Sequence, residues 1–303
     1  MVLRPFMQIL LLLGMVLLLG AVMGTIGALL AVVLFDVGDL STFTRSLADQ
    51  SAHPYAFLWV QAFSALGAFV LPALIFVWMQ NRSPWSFYGL RRAFNVRLAV
   101  LAVLVLFFSQ SLITLTSEWN QQITIPDNWG PVGEWLRSSN QDVQAGYEAL
   151  LNFQSFGHML LTMLVVAVLP AVGEELIFRG GFQKLIENWL KRPHLAVWTA
   201  AAIFSLFHFQ VFFFLPRLLL GAALGYLYLW SRNLWYPIIA HFFNNAWVIV
   251  MAYFFLPEGG TTELLAPEQQ LPMPALITGS LAFVGFLLLF RWTAKRHLPN
   301  EVE

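Results

Sequence analysis

Apolar runs of bilayer length recur along nearly the whole chain. A helix needs about 20 predominantly apolar residues to cross the hydrocarbon core. Eight stretches are candidates: Phe6–Leu34, Tyr55–Met79, Leu98–Thr116, His158–Ile177, Leu195–Phe213, Arg217–Trp230, Trp235–Phe255 and Pro274–Trp292. The sixth is short. The expected fold is therefore all-α, a polytopic transmembrane helix bundle of about eight spans. Composition agrees, because only 11% of residues are charged, against about 25% in a soluble domain. The first run, Phe6 to Phe35, is too long for the apolar core of a signal peptide and is expected to be a retained span. A net charge of zero gives no ground for nucleic-acid binding. With no cysteine in the chain, disulfides, thiolate metal sites and a cysteine nucleophile are excluded.

The segments between these runs alternate in charge. Arg82, Arg91, Arg92 and Arg97 lie between spans two and three, Arg179, Lys184, Lys191 and Arg192 follow span four, Arg232 follows span six, and Arg291, Lys295 and Arg296 end span eight. The intervening loops carry Asp36, Asp39 and Asp49, then Glu118, Asp127, Glu134, Asp142 and Glu148, then Glu258, Glu263 and Glu268. Cytoplasmic loops are enriched in Lys and Arg, so both termini and the basic loops are expected in the cytoplasm. Ser83 to Arg97 mixes aromatic and basic residues and reads as an interfacial anchor or an amphipathic surface segment. The long polar stretch Glu118–Phe156 is placed to cap the bundle or shape substrate entry. Gly20-x-x-x-Gly24 and Gly221-x-x-x-Gly225 each set small residues on one helix face, which permits close packing within the chain.

Ionisable residues inside apolar runs are rare and mark function by default. Glu174 and Glu175 follow the apolar run Met159–Val172 directly. Glu175 and Arg179, at i and i+4, share a helix face and can pair. Glu174 lies about 100° round the helix, free to face a cavity and to act as a general base on water. The plain alternative is a charged helix end among lipid headgroups. Pro170 and Gly173 are placed to loosen the helix just before the pair. His208, in the run Ile203–His208, is either a hydrogen-bonded core histidine or a neutral imidazole that shares a water with Glu174 or binds a metal. His241 and Asn245, again at i and i+4, project from one face and can donate to an oxyanion; the alternative is an interhelical hydrogen-bond pair. Asn244 is expected to point elsewhere. A Ser205–His208 dyad is conceivable by spacing alone. The sequence has no His-Glu-x-x-His helix, no Gly-x-Ser-x-Gly elbow and no phosphate-binding loop.

Glu174-Glu175-x-x-x-Arg179, then Phe204-x-x-x-His208, then His241-x-x-x-Asn245 resemble, in order, three motifs of the CPBP intramembrane proteases, also called the CAAX protease or Abi family. The likeness runs from about Leu161 to Phe255. It implies an α-helical membrane protease in which Glu174 and His208 activate water, His241 and Asn245 form the oxyanion hole, and Glu175 and Arg179 support them. The resemblance leaves open whether zinc is a cofactor, held by Glu174, His208 and His241, or whether the mechanism is metal-free; the latter leaves His241 with Asn245 as a donor pair.

The chain is accordingly expected to divide into residues 1–157, with the N-terminal spans and an external loop, a catalytic core at 158–256, and a last loop and span at 257–303. Its expected function is intramembrane endopeptidase in the cell inner membrane, open to the cytoplasm, acting on a membrane-embedded or lipidated peptide or protein. The alternative is a non-proteolytic immunity or scaffolding protein that binds a partner peptide. No motif specifies an oligomeric state. One geometric difficulty stands: at about 1.5 Å per residue, Glu174 falls near the cytoplasmic surface and His208 roughly 15–20 Å up span five. Convergence then needs span five to start below the membrane plane, or Pro170 to break span four.

Overall fold

The computed structural model describes residues 4–37, 53–255 and 271–297, and among them all regular structure is helical. The helices are α1 (Pro5–Leu34), α2 (Pro54–Met79), the short α3 (Pro84–Phe87), α4 (Val96–Gln121), α5 (Gly130–Leu150), α6 (Phe156–Leu190), α7 (Pro193–Leu206), α8 (Phe214–Ser231), α9 (Trp235–Phe255) and α10 (Met273–His297). Seven of them are long and apolar enough to cross a membrane, so this is a multi-pass membrane protein. Asp39, Asp49, Glu258, Glu263, Glu268 and the boundary expected at residue 257 lie outside the described residues.

Two expected spans have different limits. The fourth does not stop at Ile177 but runs on to Leu190, so Arg179 and Lys184 belong to α6 rather than to a basic loop. The fifth stops at Leu206, after 14 residues. At about 1.5 Å per residue that is roughly 21 Å, short of a full crossing. His208 lies beyond this helix, in a turn where Phe209 takes a left-handed conformation (φ +53°).

In both α2 and α6 one irregular stretch lies just before a proline, and α6 has a second, proline-free π-turn at Phe178–Gln183. In α2 a π-turn at Leu66–Val70 precedes Pro72, and in α6 another at Met163–Val168 precedes Pro170. A proline inside a helix removes one i→i−4 hydrogen bond and clashes with the carbonyl four residues back; a wider turn just before it relieves that crowding. The irregular stretch of α2 packs on α6 at Gly173, where an added Cβ would lie 2.8 Å from the Phe69 Cβ. The small-residue motifs work within the chain. Gly20 and Gly24 face Ala68 and Ser64 of antiparallel α2, and Gly221 and Gly225 face Ala201 and Val197 of antiparallel α7.

The ends of the bundle are distinct. One gathers the start of α1, where the Phe6 ring lies tilted against Trp189, the start of α4, the end of α6, and the α8–α9 turn. The end of α10 is there too, with Arg291 over the Trp230 ring. Arg232 holds Glu187 at 2.6 and 2.5 Å across it. The other end gathers the C-terminus of α4, the turn at residues 207–213, and α5; Asn120 there accepts from the Leu215 amide and donates to the Val211 carbonyl. The segment Ser83–Arg97 at the first end is only partly a surface element. Trp85 and Phe94 are exposed, but Phe87 and Tyr88 are buried in the core. The Tyr88 ring lies on Gly180, where a Cβ could not fit, and its hydroxyl donates to the Ala73 carbonyl at 2.8 Å.

Candidate active site

Because α6 continues to Leu190, Glu174 sits near its middle, deep in the bundle. That removes the mismatch in depth with His208: the helix neither breaks at Pro170 nor ends below Glu174. Glu175 is fully buried and its Oε1 is shared. Arg179 Nη1 donates to it at 2.8 Å, and His241 Nδ1 lies 2.9 Å from it. The second guanidinium nitrogen, Nη2, donates to the Gly221 carbonyl at 3.0 Å, and the guanidinium lies 4.8 Å from the centre of the Phe204 ring. A buried charge pair holds only when its remaining hydrogen-bonding groups are met, and the Gly221 carbonyl meets this need for Arg179. Arg179 thus fixes Glu175, and Glu175 fixes the ring of His241.

Glu174 points the other way. Its Oε2 is buried without a hydrogen-bond partner, and His241 Nε2 lies 3.9 Å from it. Both side chains line a cavity of about 320 Å³, together with His208, Asn244, Asn245 and Arg217. His208 Nδ1 lies 2.9 Å from the Phe204 carbonyl. A neutral ring therefore carries its proton on Nδ1 and keeps the Nε2 lone pair as an acceptor. Ser205 donates to the Phe214 carbonyl at 2.7 Å instead of to His208, so the conceivable dyad does not form.

Asn245 owes its position to Pro170. Proline cannot donate to the Val166 carbonyl four residues back, and Asn245 Nδ2 donates to that carbonyl at 3.2 Å. Its Oδ1 accepts from Asn244 Nδ2 at 3.0 Å, and Asn244 Oδ1 accepts from Gln110 Nε2 at 2.7 Å. Asn244 is therefore part of the site wall and not a bystander. The second amide proton of Asn245 remains for a ligand in the cavity.

The structure thus brings Glu174, His208, His241 and Asn245 to one cavity, with Glu175 and Arg179 behind them. As zinc donors, Glu174, His208 and His241 do not fit. Zinc ligands lie about 2.0–2.2 Å from a common point, whereas no group of three His, Cys, Asp or Glu side chains among the described residues is placed to hold a metal.

Sequence reasoning missed Arg217, Gln210, Tyr147 and Gln144, which also line the cavity. Arg217 Nη1 and Gln210 Oε1 are both buried without a partner. A signal existed for Arg217, a lone cation opening an apolar run. Gln144 and Tyr147 come from α5, within the polar stretch expected to cap the bundle or shape substrate entry, but nothing in the sequence singles out these two residues.

Residues 156–247 match the sequence profile of the family described as type II CAAX prenyl endopeptidase Rce1-like. An uncharacterized protein of Bacillus subtilis (strain 168), YpbD, is 29% identical over 119 residues, which cover 38% of this chain and 56% of the relative. The match thus spans little more than half the length of that curated relative. No solved structure matches the chain.

Proposed function

We propose, from the match of residues 156–247 to the Rce1-like family of CAAX endopeptidases, that the protein is an intramembrane endopeptidase. It hydrolyses a peptide bond in a membrane-associated or lipidated substrate. The observation that carries this reading is the buried, unpartnered Oε2 of Glu174, facing a cavity beside a histidine that a second carboxylate holds in place.

In this reading Glu174 Oε2 takes a proton from a water molecule whose other hydrogen bonds to the Nε2 lone pair of His208. The water oxygen attacks the scissile carbonyl carbon, and the resulting oxyanion accepts from the free N–H of Asn245. Both nitrogens of His241 face carboxylate oxygens, so a ring carrying both protons donates Nδ1–H to Glu175 and Nε2–H into the cavity, as a second oxyanion donor. As the C–N bond breaks, Glu174 passes its proton to the leaving amine. Glu175 and Arg179 are positioning residues. Such a preorganised donor set stabilises charge that develops only in the transition state. Both termini and the basic loops lie in the cytoplasm in this reading, α7 completes eight crossings together with the turn that follows it, and the protein resides in the cell inner membrane.

The test compares wild type with Glu174→Gln, purified in detergent, for cleavage of a membrane-peptide pool read by mass spectrometry and for thermal unfolding. The expected loss of rate is about 10²–10⁴-fold, with the melting temperature unchanged. Equal cleavage by both proteins, or a variant that merely unfolds, would overturn the reading.

A further inference from the structure

The cavity has a direction. Its lining residues on α6 are Val166, Pro170 and Glu174, and none follows Glu174 toward Leu190. On α7 the lining begins at Phe204 and continues into the turn with His208, Gln210 and Phe213; on α8 it covers only Arg217 and Leu220. On α9 it starts at His241 and climbs to Ile249. Every one of these elements places its lining between the level of Glu174 and the end of the bundle where α5 lies. A second cavity of about 450 Å³, between α2, α5 and α6, also has Glu174 at its inner limit and reaches the same end through Gln61, Asp142 and Tyr147.

Below Glu174 the described residues close the bundle. Glu175, Phe178, Arg179, Phe182 and Gln183 are all buried on successive turns of α6, and Tyr88 packs on Gly180 from the side. That closed end is the one that carries Arg91, Arg92, Lys191, Arg192, Arg232, Lys295 and Arg296. The open end carries Glu118, Glu134, Asp142 and Glu148, with Arg137 as a cation among them. Lys and Arg concentrate in cytoplasmic segments, so the sealed floor faces the cytoplasm.

We propose that the site is entered from the extracytoplasmic face, and that its substrate is an exported or membrane-spanning peptide whose scissile bond lies in the outer half of the bilayer. This deepens the endopeptidase reading and rests on it. It reverses the entry from the cytoplasm expected from sequence. A lipidated tail on the cytoplasmic leaflet meets the closed floor, where no lining residue of either cavity lies.

The absence of cysteine in the chain makes the orientation directly measurable. Gln144→Cys and Ser138→Cys on α5, and Ser83→Cys on the basic side, are treated in intact cells with a membrane-impermeant maleimide. The two α5 variants should label at once, and Ser83→Cys only after permeabilisation. The reverse pattern overturns the proposal. In parallel, new peptide termini are mapped in cells expressing wild type or Glu174→Gln. Glu174-dependent termini in outer segments support the assigned substrate class, and such termini in cytoplasmic segments overturn it. Outside labelling without any Glu174-dependent terminus overturns the endopeptidase reading, and with it the substrate, while leaving the orientation in place.

Discussion

The bundle on the two sides of Glu174 treats its polar groups in opposite ways. On the closed side nearly every buried donor meets a backbone carbonyl: Arg179 meets Gly221, Gln183 meets Gly225 at 3.0 Å, and Tyr88 meets Ala73. One oxygen each of Glu175 and Gln183, and the Gln80 amide nitrogen at the end of α2, are left over. On the open side Glu174 Oε2, Gln210 Oε1 and Arg217 Nη1 all lack partners and belong to residues that border a cavity. An unmade hydrogen bond on a buried group costs about 1–3 kcal/mol. The closed side therefore holds the helices together, and the open side keeps polar groups free for a ligand, at a cost the closed side offsets. Adjacent carboxylates in one helix divide these tasks between them.

Substitutions can break that comparison. The largest effect is expected for Glu175→Ala, which strands Arg179 as an uncompensated buried charge. About 3–5 kcal/mol of stability should be lost, seen as a large fall in melting temperature, along with cleavage. If Glu175→Ala kept the melting temperature of Glu174→Gln, the division between the two carboxylates would be wrong. Next comes Asn245→Ala. As an oxyanion donor it should lower kcat about 10²–10³-fold, yet cost only about 0.6 kcal/mol of interhelical bonding. A drop in melting temperature with kcat intact would make it structural.

Gly180→Ala sharpens the other side. Its methyl group has no room against the Tyr88 ring, and overpacking of this kind costs about 1–3 kcal/mol. Enzyme that remains folded should keep its kcat, and a kcat loss at full stability would show that the closed side shapes the chemistry as well. The smallest effect belongs to Gln210→Met. Replacing a partnerless buried carbonyl by an apolar side chain of similar length should leave stability within about 1 kcal/mol, on the favourable side. Marked destabilisation in thermal melts would mean that Gln210 has a bonding partner in the folded protein.

Much of this architecture is legible in the residue order. Seven of the expected spans correspond to the long apolar helices, because run length alone sets what can cross a bilayer. The i, i+4 pairs Glu175–Arg179 and His241–Asn245 were readable as shared helix faces, and local spacing sufficed for that. Span ends were less readable wherever a charge was taken as a loop. Arg179 stays inside α6 because its partners are Glu175, one turn away, and a Gly221 carbonyl supplied by another helix. A sliding view of hydropathy sees the first of these and not the second.

The sequence by itself determined an all-helical membrane bundle and the identities of the six motif residues, since both follow from apolar run length and short-range spacing. Only the tertiary structure decided the depth of Glu174, the inclusion of Arg217, Gln210, Asn244 and the α5 residues in one wall, and the end of the bundle toward which the cavity runs. Those properties depend on how far one helix slides along another. That register is set by contacts such as Gly173 on Phe69 and Asn245 on the carbonyl left free by Pro170, between residues far apart in the chain.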